Sequence, residues 1–225
     1  MTLDFSQAAV RRRFYLERGL RKRPVGSGSD LEGLMEAPRK PLPVNPKDVL
    51  VGISAVVVGG VATRMYSPER VTEDLDVLVE HKHFHEASEK LRLASYTKVR
   101  DLFFPNASLG LYGEAWSKDG LKIDLLATPQ KWGRQAVKKH VQDPTGLPIV
   151  TLPYLVLMKI DSARGIDQGD LSRMLGRLSE AECEDLIREV ACHSTDPSFA
   201  DDVRQYAQLG RWEWEKPTPS RPDPG

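Results

Sequence analysis

VVVGGVATRMYSPERVTEDLDVLVEH, residues 56–81, decides how this chain reads. The β-branched run Ile53–Val58 has the composition of a buried strand. It stops at Gly59-Gly60, and GGVATRMY reads as a turn into a short helix. Thirteen residues after Gly60 comes DLDVLV, residues 74–79, a second buried strand. Side chains alternate along a strand, so Asp74 and Asp76 share one face and Leu75 and Val77 the other. Two such carboxylates stand about 6.6 Å apart along the strand. They can bracket Mg²⁺, which takes oxygen ligands and keeps positions open for water and phosphate oxygens. Gly59 and Gly60, between a strand and a helix N-terminus, would let backbone N–H groups approach a phosphate closely. No Lys-Ser/Thr follows them, which excludes a Walker P-loop, and the missing third glycine excludes the dinucleotide fingerprint.

A third carboxylate lies further on. GLYGEAWSKDGLKIDLLA alternates around Asp119-Gly120, a hairpin signal, and places Asp124 on the second strand. Lys122, Asp124 and Leu126 point one way, Ile123 and Leu125 the other. A lone charge in an apolar strand is costly unless it is paired or holds a metal. If this strand lies beside DLDVLV, Asp124 joins Asp74 and Asp76, and three carboxylates suit a site for two Mg²⁺ ions.

Working outward, residues 1–46 form a basic helix ending near Gly19 and a Pro/Gly/Ser-rich linker. Residues 47–152 mix strands and helices, with a helix over HKHFHEASEKLRLA, another over KWGRQAVKKHV and a short strand or extended link at LPIVTLP. Residues 153–211 are a helical subdomain, whose third helix starts at a capping box, Ser179 with Glu182. Residues 212–225 are a Pro-rich tail expected to be disordered. The fold class is therefore α/β (α+β), a mixed sheet flanked by helices with a C-terminal helical subdomain.

Lysine plus arginine balance aspartate plus glutamate at 32 each, so no global charge draws the chain to nucleic acid. Locally, residues 1–24 hold seven basic side chains against two acidic ones, and residues 161–209 eleven acids against five arginines. The basic stretch reads as a solvated helix face, with phosphate contact the alternative. No apolar run reaches membrane-spanning length and no signal-peptide segment opens the chain, so a cytoplasmic protein without a membrane partner is expected. Cys183 and Cys192 read as buried reduced thiols. His81, His83 and His85 share a face only if the strand continues through them, and Trp212 and Trp214 read as packing residues.

VVVGG, a spacer of thirteen, then DLDV resembles the signature of the DNA polymerase β-like nucleotidyltransferase superfamily, with Asp124 in LKIDLLA resembling its third carboxylate. The spacer, with Arg70 and Thr72 leading to Asp74, is similar to small bacterial members. LMKIDSARGIDQGDLSRML, with Lys159, Ala163, Arg164, Asp167 and Asp170, is similar to AbiEii-type toxins and related minimal nucleotidyltransferases. The resemblance spans residues 50–175. It implies Mg²⁺-dependent transfer of a nucleoside monophosphate from an NTP to a hydroxyl on an RNA or tRNA end or a protein, in a toxin that an antitoxin would partner. Asp74, Asp76 and Asp124 would ligate two Mg²⁺ ions, and Asp124 would take the nucleophile's proton. Gly59 and Gly60 would cradle the β- and γ-phosphates, with Arg70 and Thr72 beside the nucleotide. Lys159 or Arg64 would neutralise the triphosphate. The alternative is a nucleotidyltransferase-like module that has lost catalysis and binds a partner. A phosphatase of the haloacid dehalogenase type is a third reading; there, Leu78 stands where that family has Thr or Val.

Overall fold

The computed structural model describes residues 8–22, 45–67, 74–105 and 107–215. In chain order its elements are α1 (Ala8–Lys22), α2 (Pro46–Val49), β1 (Ala55–Val57), α3 (Gly59–Tyr66), β2 (Asp74–Val79), α4 (Phe84–Leu93), β3 (Thr97–Phe103) and β4 (Tyr112–Lys118). They continue with β5 (Leu121–Ala127), α5 (Lys131–Lys138), β6 (His140–Gln142), β7 (Pro148–Val150), α6 (Leu152–Ser162), α7 (Gly165–Leu175), α8 (Glu180–Val190) and α9 (Phe199–Trp214). The class is the α+β fold that the sequence pattern indicates.

One mixed sheet runs β3-β4-β5-β2-β1-β7-β6. β2 lies parallel to β5 and β1 parallel to β7, and the remaining pairs are antiparallel. The apolar runs at its centre are fully covered: Val56, Val57, Val77, Leu78 and Leu125 expose no surface. The hairpin turns at Asp119-Gly120, both at positive φ (50° and 84°), the geometry a two-residue turn needs to match strand twist. The capping box forms: the Ser179 hydroxyl accepts from the Glu182 amide, and the Glu182 carboxylate accepts from the Ser179 amide.

Several expectations need correction. The first helix runs past Gly19 to Lys22, because Gly19 is a point of close approach to Leu209 rather than a terminator. β3 and β6 carry no apolar alternation; both are edge strands, only Leu102 of β3 is buried, and His140 and Val141 lie in β6 rather than in the helix expected over KWGRQAVKKHV, which ends at Lys138. The last helix continues through Trp212 and Trp214 into the stretch assigned to the tail. There the Trp214 indole donates to the Arg173 carbonyl at 3.2 Å and lies under the Arg177 guanidinium. Cys183 is buried but Cys192 is exposed, and neither forms a disulfide. The linker at 23–44 and the tail at 216–225 lie outside the described residues.

α1 is part of the helical lobe and packs on α6 and α9. Its Arg12 is buried, donates to the Ile160 carbonyl at 2.9 Å and bridges Asp196 and Asp202. α7 and α9 cross at Gly176 and Gly210, where a Cβ on Gly210 would come within 1.8 Å of the Ser172 carbonyl oxygen. No helix among the described residues is long and apolar enough to cross a membrane.

Candidate functional site

β1 ends at Val57, and the Val58 amide donates to the Asp76 carbonyl at 2.9 Å, so the turn after β1 is tied to β2. Gly59 follows at φ +62°, a left-handed conformation that costs other residues about 1–2 kcal/mol. A Cβ there would stand 1.9 Å from Oδ2 of Asp76. The first glycine is thus required twice over, by its backbone and by the carboxylate against it. The Gly60 amide, at the start of α3, donates to that same carboxylate. The Gly60 N–H, expected to meet a phosphate, faces this carboxylate.

Parallel pairing of β2 and β5 puts Asp76 opposite Asp124 and Asp74 opposite Lys122. Neighbouring strands lie about 4.8 Å apart, and paired residues share a face, so the carboxylates of Asp76 and Asp124 stand side by side. Burial first, and then the charge of Asp124, push the Asp76 pKa from 3.8 up to about 6, against the pull of Arg164 and the Gly60 hydrogen bond. Asp124 is also raised, by burial and then by Asp74, with Arg100, Lys122 and Arg164 opposing. Asp74 sits at the exposed start of β2, 3.4 Å from the Lys122 ammonium. Among the described residues no three His, Cys, Asp or Glu side chains converge as a metal-binding group. His81 contacts the Tyr112 hydroxyl at 2.7 Å and His83 faces Glu86, so the histidines diverge. Asp76 and Asp124, crowded and half-buried, fit one hard cation; a second would require Asp74 to leave Lys122.

These carboxylates open into a cleft of about 320 Å³ between the sheet and the helical lobe. Leu126, Leu155 and Met158 give it apolar walls, and Phe103 and Phe104 stand at its rim. Asp161 fixes the loop after the rim by accepting from the Ser108 amide (2.8 Å), the Ser108 hydroxyl (2.7 Å) and the Leu109 amide (3.2 Å). Leu109 is further held through its carbonyl by Thr128 and the Trp132 indole.

Lys159 lines the cleft, but its ammonium is 2.9 Å from Asp167 and 2.7 Å from Asp170, both buried. This cation, expected to neutralise a triphosphate, is matched inside the protein by two carboxylates. Asp167, in spite of burial, is held below the usual carboxylate range by Lys159 and Arg164. Its other oxygen accepts from the Arg164 guanidinium at 2.8 Å and from the Ser162 hydroxyl at 2.5 Å. Ala163, at φ 46°, turns the chain sharply between α6 and α7 and makes this network possible. Arg64 is half-buried in the last turn of α3 and does not line the cleft. Arg70 and Thr72 lie outside the described residues.

Among the described residues two cations reach the cleft besides Lys159. Arg164 carried no assigned role in the sequence beyond its part in the resemblance. Arg11, from α1, was missed; its Nε donates to the Ala163 carbonyl at 3.5 Å. Its contact partner is 152 residues away, and no local pattern signals such a meeting. Compared with known proteins, the chain matches no family profile and no curated sequence.

Proposed function

We infer that the cleft transfers a nucleoside monophosphate from an NTP to a hydroxyl acceptor with the help of Mg²⁺, breaking the α–β phosphoanhydride bond and releasing pyrophosphate. The observation that carries this is the in-register pair Asp76 and Asp124 beside the Gly59 turn. Two half-buried carboxylates with raised pKa values are an unbalanced charge that a divalent cation would compensate. The bound ion would activate the attacking hydroxyl and offset phosphate charge. Asp76 and Asp124 would hold it, and Asp124, the more open of the two, would receive the proton from the nucleophile. Asp74, at the mouth, would join them on leaving Lys122. Arg164 and Arg11 would meet the phosphates, with Arg164 aimed by Asp167 and Asp167 held in turn by Lys159. The apolar walls and the rim phenylalanines suit a nucleobase. A tRNA end or protein acceptor and an antitoxin partner are part of the same proposal and rest on the resemblance.

Labelled NTPs, Mg²⁺ and an extract of RNA and protein test the reading. Incorporation by the parent and none by Asp76→Asn supports it; equal incorporation by both sinks it. The engagement of Lys159 by Asp167 and Asp170 favours a second reading, a nucleotide-binding module without turnover. Tight Mg-NTP binding with no incorporation into any acceptor would select that one.

A further inference from the structure

α1 buries one side and leaves the other basic. Arg12 and Leu16 are covered by the helical lobe, and Gly19 sits against Leu209. On the flank, Arg11, Tyr15, Arg18 and Lys22 recur at i, i+4, i+7 and i+11, the spacing of a single line along a helix. Arg11 ends that line at the cleft wall. Tyr15 is exposed, and its hydroxyl lies next to Gly165, at the corner that carries Arg164. Phe14 and Arg21 continue the same surface. Arg18, Arg21 and Lys22 are exposed and form no ion pair among the described residues.

We propose that this flank of α1 is a docking strip for single-stranded RNA, running toward the cleft. Cations spaced along a line with exposed aromatic rings between them are the chemistry that tracks a phosphate backbone and stacks bases without reading sequence. Spanning eleven residues of helix, the line is about 16 Å long, enough for several phosphates. An anionic membrane is the other polyanion to consider. A helix that lies on a membrane must bury a broad apolar face there, and the apolar side of α1, Leu16 with Leu20, already packs on the lobe. The strip's binding stands on α1 alone; that it brings an RNA end to the carboxylates rests on the transferase reading above.

The test is the affinity of the full chain for a fluorescent single-stranded RNA oligonucleotide, by anisotropy at several salt concentrations without NTP. Arg18→Glu/Lys22→Glu is expected to weaken binding about 10-fold or more at low salt and to flatten the slope of log K against log salt by about 1.4. Arg188→Glu on α8 serves as the control and keeps the parent affinity. Circular dichroism melting checks that the double variant stays folded, since both side chains are exposed. Asp76→Asn should bind RNA like the parent even where it transfers nothing, so a failed transferase assay and a failed docking strip are separate results. No RNA binding by the parent, equal binding by the double variant, or capture by phosphatidylserine vesicles in place of RNA would each overturn the proposal.

Discussion

Gly59 and Asp76 stand so close that a single added methyl would have its carbon 1.9 Å from the carboxylate oxygen. The contact joins the two halves of the opening sequence motif: the turn after β1 closes onto the acid of β2. Gly59→Ala therefore both strains a backbone at φ +62° and drives Asp76 out of position. It should lower unfolding free energy by about 1–2 kcal/mol in urea titrations and abolish divalent-ion binding. An alanine variant that binds Mn²⁺ as the parent does would refute this account of the turn.

Asp76→Asn should make the cation-free protein more stable at neutral pH. The folded pKa, about 6, lies above the ordinary 3.8, so the stability linked to Asp76 is intact below pH 4 and lost as pH rises through 6. Asparagine has no such loss. The gap in stability between variant and parent should open between pH 4 and 6 and reach roughly 2–3 kcal/mol. Thermal melts in EDTA across that range measure it; a gap that is constant with pH would contradict the assigned crowding.

Mn²⁺ or Mg²⁺ should reverse the effect in the parent, raising its melting temperature at pH 7. Asp124→Asn removes half of the in-register pair and should weaken Mn²⁺ binding by at least about tenfold, read by calorimetry. If Asp74→Asn weakens binding more than Asp124→Asn does, the cation sits at the strand mouth and not between Asp76 and Asp124.

Lys159→Met should act on folding before anything else. It would leave Asp167 and Asp170 buried without their shared cation, and breaking a buried pair typically costs about 3–5 kcal/mol. Urea unfolding gives the number. A variant of parental stability that has lost only nucleotide binding would return Lys159 to the phosphate-binding role.

Arg12→Ala should loosen α1. The bridges to Asp196 and Asp202 and the hydrogen bond to Ile160 disappear together, leaving the acids partly buried. Hydrogen exchange should speed across Ala8–Lys22 while β2 and β5 stay protected. Uniform exchange in parent and variant would show that other contacts hold the helix.

The elements legible from sequence were those whose signal is local. Ala55–Val57, Asp74–Val79 and the Asp119-Gly120 hairpin each carry composition or turn chemistry that names the element without its neighbours. β3 was illegible because an edge strand with Lys98, Arg100 and Asp101 has no apolar face to show. Asp124 could be marked as an odd charge in an apolar strand, yet its value depended on whether β5 would lie beside β2.

The sequence by itself determined the strand-turn-helix around Gly59, the shared face of Asp74 and Asp76, and the helical character of the chain after β7, since each follows from side-chain period and backbone preference over a few residues. Only the tertiary structure decided that Asp76 meets Asp124, that Lys159 is enclosed by Asp167 and Asp170, and that Arg11 reaches the cleft. Those outcomes depend on sheet order and helix docking. Sheet order and docking are set by the packing of the whole core, which no short window of residues encodes.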